Sequence, residues 1–238
     1  LLEKKLEIAK KRAQLPDVLT VVHFAGNPVD MEHISSLARK YKFKVIEDAS
    51  HALGGTYKDQ VIGENRFSDV TVFSFHPVKT ITTGEGGAIL LSGKKDFLKA
   101  RGLRSHGIIR ESLDSTDDFP SWFYQQNMLG YNFRMGELES AIGIQQLKKL
   151  KKIVIKRNRL FSFLAKKLNV LKGINVPTSN YKFNNYYIFP IVIDKKILKK
   201  NRDEIIKLLK AEGVEGLVGG YANLHLLPMF RKKIAYGN

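Results

Sequence analysis

The apolar residues of this chain follow two spacings, one typical of buried β-strands and one typical of amphipathic helices. Short runs rich in β-branched residues predict strands at 18–24, 43–46 and 70–75. Between the first two, apolar residues recur at helical spacing and predict a helix over 31–41, which Asp30 can cap. A strand, a helix and a strand within about 30 residues form a βαβ unit. We therefore expect an α/β fold with a mostly parallel sheet.

Further helices are predicted where apolar residues form a stripe on a charged background, at 1–12, 95–102, 137–150, 153–168 and 203–211. The apolar runs at 87–91 and 186–193 predict two more strands. Between residues 160 and 175 the long helical patterns end, and a predicted strand, a shorter helix and a Gly-rich segment follow. We therefore assign residues 1–165 to part of a large domain and 166–238 to the start of a smaller α+β domain.

The composition is that of an ordinary globular protein, with 238 residues of which 43% are hydrophobic and 26% charged. Cysteine is absent from the sequence, which excludes disulfides, thiolate metal ligands and a cysteine nucleophile. The six histidines lack the spacing of metal ligands, so we expect no metal site. No apolar run approaches the roughly 18 residues of a membrane span, and the N-terminus does not read as a signal peptide. We expect a cytoplasmic protein that does not associate with membranes.

A formal net charge of +17 raises the possibility of an anionic partner. Lysine and arginine are spread along predicted helices, as at 148–159, and no aromatic residues are interleaved with them in the manner of nucleic-acid-binding surfaces. We therefore expect no nucleic-acid binding, and a contribution of this charge to holding an anionic substrate. The rival hypothesis is a non-catalytic basic module that binds an anionic polymer.

The stretch 70–87 contains the main candidate for a catalytic residue, Lys79. It predicts a buried strand, a turn at His76-Pro77, a lysine at Lys79 and a loop rich in Thr and Gly. Open α/β sheets bind their ligands at the carboxyl edge of the strands, where this pattern delivers Ser74 and Lys79. A lysine amine there, beside glycines that allow a ligand to approach the backbone, indicates a Schiff-base lysine. The alternative is a solvated loop lysine.

Other polar residues are candidates for contacts with the same cofactor. Asp48 lies at the carboxyl end of the strand predicted at 43–46, where its carboxylate can keep the pyridine nitrogen of pyridoxal phosphate protonated. The alternative is a loop acid or a helix cap. His51 could stack on that ring or bond its phenolic oxygen. Ser74 and Asn132 are candidate donors to a phosphate, although each could equally be an ordinary polar residue. The combined order of these residues is more specific than any one of them.

The segments that hold these residues resemble a known family. The sequences EDASHALGGTYKDQVIG, FSFHPVKTITTGEGGAILL, LRSHG and GYNFRMGELESAIGIQQLKKL are similar to the DegT/DnrJ/EryC1/StrS family of pyridoxal-phosphate-dependent sugar aminotransferases. The resemblance covers nearly the whole chain. VVHFAGNPVDM, FSFHPVKTITTGEGG and RSHGI carry a narrower likeness to the branch of the pseudaminic acid pathway. The family resemblance implies the three-layer, mostly parallel sheet of the fold type I pyridoxal-phosphate enzymes.

The resemblance also implies roles for the candidate residues. Lys79 matches the family's Schiff-base lysine, and Asp48 the aspartate at the pyridine nitrogen. His51 matches the Gln or His beside the ring oxygen, and Ser74 the phosphate-binding serine. Asn132 matches the asparagine that reaches the cofactor phosphate of a neighbouring subunit, which implies a homodimer with a shared active site.

The implied reaction is transfer of an amino group from glutamate to a nucleotide-linked 4-keto-6-deoxy sugar. The same chemistry at C3 of the sugar, or on a dTDP-sugar, is the enzymatic alternative. The family's N-terminal phosphate-binding turn has no counterpart before residue 1, and its Val-His-Tyr near the sugar reads Val218 to Tyr221 here. We therefore interpret the chain as an internal piece of a longer protein, and an inactive remnant of the aminotransferase stays an alternative.

Overall fold

A computed structural model describes residues 1–108, 123–126, 128–178 and 184–234. Its strands are β1 (Val18–Val22), β2 (Lys44–Asp48), β3 (Thr56–Tyr57), β4 (Gln60–Val61), β5 (Val70–Ser74), β6 (Gly87–Leu91), β7 (Ile174–Asn175) and β8 (Val192–Ile193). Its helices are α1 (Leu2–Lys11), α2 (Met31–Tyr41), α3 (Lys94–Arg104), α4 (Glu137–Leu168), α5 (Lys195–Leu198), α6 (Arg202–Ala211) and α7 (Pro228–Arg231).

The central sheet has four strands in the order β1-β2-β5-β6. The first three are parallel, with Val22 paired to Asp48 and Asp48 paired to Val72. The edge strand β6 runs antiparallel to β5 and pairs Gly87 with Ser74. The prediction of an α/β fold with a mostly parallel sheet is confirmed. The carboxyl ends of β1, β2 and β5 lie at one edge of the sheet as a result.

The helix α2 begins at the residue that the sequence indicated. The Asp30 carboxylate accepts a hydrogen bond from the His33 backbone N–H at 3.3 Å and one from the Tyr57 hydroxyl at 2.7 Å. The Tyr57 hydroxyl, and after it the His33 N–H, lowers the pKa of Asp30 below its ordinary value. Because the β3–β4 hairpin carries Tyr57, this cap also fastens the hairpin to the start of α2.

One core cluster joins α1, α2 and one face of the sheet. Its buried members are apolar or aromatic and come from the first 57 residues: Leu6, Val21, Met31, Ile34, Leu37, Tyr41, Phe43, Val45 and Tyr57. Four of them recur at helical spacing on α2, and Val21 and Val45 lie on adjacent strands in the sheet. Burial of this stripe, rather than helix propensity, stabilises the βαβ unit.

A polar network is buried on this same side of the sheet. The His23 ring is fully buried, and its Nδ1 accepts the Val29 backbone N–H at 3.2 Å. The proton of the neutral ring is therefore on Nε2, which donates to Glu47 Oε2 at 2.8 Å. The Ser68 hydroxyl donates to the other carboxylate oxygen of Glu47. Both oxygens of a buried carboxylate are thus bonded, as burial of such a group requires.

The prediction of two helices at 137–150 and 153–168 is wrong, because α4 is a single helix of 32 residues. The residues between the two predicted helices are Lys151 and Lys152, which favour helix, and neither Pro nor Gly follows Gly143 within α4. The buried residues Val154, Phe161 and Ala165 recur at helical spacing.

The prediction of a strand over 186–193 is also wrong for most of its length. Only Val192–Ile193 is a strand, and it pairs with β7. In the preceding residues the ring of Tyr186 stacks on Phe161 of α4, with 3.6 Å between ring centroids. The buried side chains of Asn184 and Asn185 donate to Asn27 and Thr80, so they contact side chains of other segments rather than form part of a strand ladder.

The chain divides into two compact units. The first comprises Leu1–Ala165 and Thr178–Pro190, and the second Lys166–Pro177 and Ile191–Asn238. In the second, the Asn169 side chain bonds both polar groups of the Val176 backbone, and Asn201 and Glu204 form a capping box at the start of α6. Within the described ranges, every helix is too short or too polar to span a bilayer.

Candidate active site

The carboxyl edge of the parallel strands brings two of the predicted residues next to each other in the fold. Asp48 is the last residue of β2, and Ser74 the last residue of the adjacent strand β5. The Asp48 carboxylate accepts the Ser50 backbone N–H at 3.0 Å through Oδ1, which fixes its orientation. The Ser74 hydroxyl oxygen lies 3.4 Å from the His76 backbone N–H. Both side chains are half-buried.

Lys79 lies in a loop that is closed by its own backbone. The Phe75 N–H donates to the Gly86 carbonyl at 2.8 Å, and the Thr83 N–H donates to the Phe75 carbonyl at 3.0 Å. Inside this closed loop the Lys79 N–H donates to the His76 carbonyl at 2.9 Å. The lysine is half-buried rather than fully solvated. The loop therefore holds the Lys79 backbone against the end of β5.

His51 lies between two aromatic rings at this edge. Its imidazole stacks on Tyr187 with ring centroids 4.3 Å apart and an interplanar angle of 26°, and Phe24 approaches it at 6.1 Å in a tilted arrangement. Its Nδ1 is buried and has no hydrogen-bond partner within the described part of the chain. A buried polar atom without a partner is costly, so it indicates a place where a ligand atom can bond.

The charge environment of His51 links it to the other candidates. Burial lowers the pKa of His51 below its ordinary value of 6.5, and the positive charge of Lys79 lowers it further, while the carboxylate of Asp48 opposes this shift. Both charges act on the ring, so Asp48, His51 and Lys79 belong to one electrostatic site. At neutral pH the imidazole is the uncharged form.

A segment from far along the chain completes this edge. The fully buried Asn185 donates through its amide nitrogen to Thr80 Oγ1 at 2.6 Å and to the Leu53 carbonyl at 2.9 Å. Gly26 has a φ of +86° and packs so closely that a Cβ there would lie 2.9 Å from both the His51 carbonyl and the Tyr186 nitrogen. Residues 184–187 are therefore fastened to the loops that follow β1, β2 and β5.

Tyr187 and Arg157 are the residues at this site that the sequence patterns did not indicate. Lys79 Nζ lies over the Tyr187 ring, 5.2 Å from its centroid. Arg157 of α4 donates through Nη1 to the carbonyls of Tyr186 and Tyr187, at 3.3 and 3.1 Å. Burial lowers the pKa of Arg157. The one available signal was the pair Asn184-Asn185, whose amides do not fit a buried strand.

Asn132 lies on an exposed stretch of the first unit. It forms an isolated antiparallel bridge with Ser105, and its neighbours Tyr131 and Phe133 stack on each other at 4.9 Å. Phe133 is 70% exposed and Leu138, early in α4, is 79% exposed. Asp48, His51 and Lys79 thus form one site beside Ser74, while the contacts of Asn132 are with the Ser105 loop.

The chain matches one known protein family over most of its length. The model of the DegT/DnrJ/EryC1/StrS aminotransferase family matches residues 6–238. The chain belongs to this family. Its members are pyridoxal-phosphate-dependent sugar aminotransferases, and the fold agrees with that of the type I aminotransferases over part of their length.

Individual relatives differ in the nucleotide that their names specify. A UDP-4-amino-4,6-dideoxy-N-acetyl-β-L-altrosamine transaminase of Campylobacter jejuni is 38% identical, covering 88% of this chain and 54% of its own. A dTDP-4-amino-4,6-dideoxy-D-glucose transaminase of Shigella dysenteriae is 32% identical, covering 91% and 54%. The solved Helicobacter pylori aminotransferase PseC, of pseudaminic acid biosynthesis, has a TM-score of 0.78 and 26% identity, covering 91% and 55%. The chain therefore spans about half the length of these relatives.

Proposed function

We propose that this chain carries the lysine-bearing half of the active site of a pyridoxal-phosphate-dependent aminotransferase that acts on a nucleotide-linked 4-keto-6-deoxy sugar. The observation that carries the proposal is the combination of Asp48, His51 and Lys79 in one electrostatic site at the carboxyl edge of the sheet. Family membership supplies the reaction class, and this edge is where α/β sheets bind their ligands.

The side chains at this edge fit the functional groups of the cofactor. A lysine amine suits its aldehyde, a carboxylate its pyridine nitrogen, and a serine hydroxyl its phosphate. The buried Nδ1 of His51, which lacks a partner among the described residues, fits the ring oxygen. When bound, pyridoxal phosphate supplies the electron sink that lets an amino group leave one carbon and join another.

Each residue of the chain has a distinct task in this proposal. The Lys79 amine would take the proton from the α-carbon of glutamate in the first half-reaction and would deliver a proton to C4 of the sugar in the second, as a general base and then a general acid. The Asp48 carboxylate, oriented by Ser50, holds the proton on the pyridine nitrogen. His51 stays neutral at physiological pH because burial and Lys79 lower its pKa, so it can bond an oxygen without adding charge.

The overall transfer needs no external oxidant or reductant. Glutamate gives up its α-amino group and takes the oxygen of a water molecule to become 2-oxoglutarate. The C4 carbonyl of the sugar becomes an amine and its oxygen leaves as water, so that no net water is consumed. Glutamate as donor, a UDP-linked sugar of the pseudaminic acid type, and a homodimer in which Asn132 reaches the neighbouring site are the finer parts of the proposal. The Campylobacter relative, 38% identical, supports the UDP-sugar.

The test is an isotope-transfer assay. The chain is incubated with pyridoxal phosphate, [¹⁵N]glutamate and either a UDP- or a dTDP-linked 4-keto-6-deoxy sugar, and the nucleotide sugars are analysed by mass spectrometry. We expect ¹⁵N in the UDP-sugar with the wild type and with Lys95→Ala, a matched control for a lysine of α3 outside the site. We expect none with Lys79→Ala. Transfer that persists in Lys79→Ala would overturn the assignment.

The same assay separates the alternatives. Incorporation only into the dTDP-sugar would identify one alternative branch of the family, which the Shigella relative, 32% identical, favours. Incorporation only into a 3-keto isomer, offered in a parallel reaction, would identify the branch that aminates C3. No incorporation into any sugar would favour an inactive remnant. Salt-sensitive binding of an anionic polymer that is unchanged in Lys79→Ala would favour the basic-module hypothesis.

A further inference from the structure

We propose that Tyr187 is a positioning residue for Lys79: its ring holds the lysine ammonium beside His51. The inference rests on the proposed function for its catalytic meaning, but the contact itself is a property of the folded chain. Three aromatic or cationic groups meet Tyr187, since His51 stacks on its ring at 4.3 Å and both Lys79 and Arg157 approach it, at 5.2 and 5.8 Å from the centroid.

The Tyr187 ring is held in place by groups outside it. Arg157 donates to the carbonyls of Tyr186 and Tyr187, which fixes the backbone at the residue itself. Two residues earlier, Asn185 bonds Thr80, the direct neighbour of Lys79. The same segment therefore holds both the ring and the loop that carries the amine. A shift of this segment would therefore displace the Tyr187 ring and the Lys79 loop together.

The ring is the contact that the described part of the chain offers to the lysine ammonium. No described carboxylate lies within 4.0 Å of Lys79 Nζ, although other lysines of the chain form such pairs, such as Lys44 with Asp69 at 2.7 Å. An ammonium over the face of an aromatic ring is attracted by the ring's quadrupole, and a phenyl ring serves nearly as well as a phenol. A long, flexible lysine side chain thereby gains one favoured position.

The role differs from a purely structural one in what it does to the amine. If Tyr187 only filled space, an aliphatic side chain of similar bulk would replace it. If it holds the ammonium, replacement by Phe is tolerated, whereas replacement by Leu or Met frees the amine. Lys58, which lies over the Tyr57 ring at 5.7 Å, provides an internal reference that none of these substitutions touches.

The experiment reads the position of the amine without the cofactor. The lysines of the free chain are reductively dimethylated with ¹³C-formaldehyde and cyanoborohydride, which preserves their charge, and their methyl signals are recorded by NMR. Lys79→Ala identifies the Lys79 signal. We expect that signal to be displaced upfield by the Tyr187 ring in the wild type and in Tyr187→Phe, and to return to the bulk lysine position in Tyr187→Leu. The Lys58 signal reports that each variant is folded.

A second readout measures the consequence for binding. With limiting pyridoxal phosphate and borohydride, the share of label on Lys79 relative to all lysines should fall about threefold to fivefold in Tyr187→Leu and change by less than twofold in Tyr187→Phe. If Tyr187→Leu does not fold, Tyr187→Met keeps the bulk and removes the ring.

The outcomes separate this inference from the proposed function. A Lys79 signal at the bulk position in the wild type, or one that Tyr187→Leu or Tyr187→Met leaves displaced, would overturn the inference. A displaced signal in a chain that never labels at Lys79 would support the contact and overturn the proposed function instead. A displaced signal together with the expected change in labelling supports both.

Discussion

The two sides of the first unit differ in how far apart along the chain their hydrogen-bonded residues lie. On the side of α2, the buried bond between His23 and Glu47 joins residues 24 positions apart, and the bond between Tyr57 and Asp30 joins residues 27 apart. At the carboxyl edge, the bonds of Asn185 to Thr80 and Leu53 span 105 and 132 positions. The first region is therefore a local βαβ unit, whereas the second is assembled from remote segments.

This difference has a functional side. The α2 region is apolar except for a network in which the polar partners satisfy one another, which is how a structural core is built. The carboxyl edge keeps an amine over a ring and a buried imidazole nitrogen that has no partner within the described residues. Polar groups at a sheet edge that lack a protein partner can bond a ligand. We therefore expect stability to depend mainly on the α2 region and ligand binding mainly on the carboxyl edge.

The largest effect on stability is expected at the buried carboxylate of Glu47. Glu47→Ala removes the acceptor of both the His23 Nε2–H and the Ser68 hydroxyl, and the Nε2–H of the fully buried His23 loses its bond. We expect this to lower the free energy of unfolding by about 3 kcal/mol. Urea titration measures this. Glu47→Gln keeps one acceptor oxygen and should cost less than Glu47→Ala. Equal stability of Glu47→Ala and the wild type would show that the network does not support the core.

A smaller loss is expected where the remote segment is fastened. Asn185→Ala removes the bonds to Thr80 and Leu53, so we expect a loss of about 2 kcal/mol. Thr80→Val removes one of these bonds with little change of shape and should cost about 1 kcal/mol. Unlike Glu47→Ala, both variants should also reduce labelling of Lys79 by pyridoxal phosphate in folded protein. Unchanged labelling in both would separate the segment from the site.

The helix cap gives a comparable but local loss. Asp30→Ala should lower stability by about 1 kcal/mol at neutral pH, because α2 loses its N-cap and the Tyr57 hydroxyl loses this acceptor. The bonds that lower the pKa of Asp30 stabilise the ionised form, so their contribution is present above its ordinary value of 3.8 and is lost as the pH falls through the lowered value. Urea midpoints between pH 7 and pH 3 test this, and a constant difference throughout would contradict it.

The smallest expected effect is a pH dependence that arises at His51. Its pKa is lowered in the folded chain, so the unfolded chain binds the proton first as the pH falls below 6.5. Stability should therefore decline from pH 6.5 downward until the folded-state pKa is reached, and His51→Asn should reduce this slope. Thermal melts at intervals between pH 8 and pH 5 measure it. The same slope in His51→Asn as in the wild type would contradict this origin of the pH dependence.

The local region could be predicted from the sequence for physical reasons. The period of the apolar residues gave α2 its full extent from Met31 to Tyr41, and Asp30 was the cap because its carboxylate can bond free backbone N–H groups. The short β-branched runs predicted strands at 43–46 and 70–75, and the observed strands end at Asp48 and Ser74, within two residues of those bounds. The family resemblance, confirmed over residues 6–238, added roles for the side chains that no spacing could give.

The remote part of the site was beyond such patterns. The apolar run 186–193 has the composition of a strand, but the rings of Tyr186 and Tyr187 pack against α4 and His51 instead. Arg157 looks like any other basic residue of α4 until its partners are seen. Contacts between distant segments depend on how elements pack, which local preferences do not determine.

Reductive trapping tests the central claim most directly. The chain is incubated with pyridoxal phosphate, reduced with borohydride and digested, and the modified peptides are mapped by mass spectrometry. The account predicts a predominant adduct on Lys79 that disappears in Lys79→Ala and persists in Lys95→Ala. Label scattered over the exposed lysines in proportion to their accessibility, with no preference for Lys79, would contradict it.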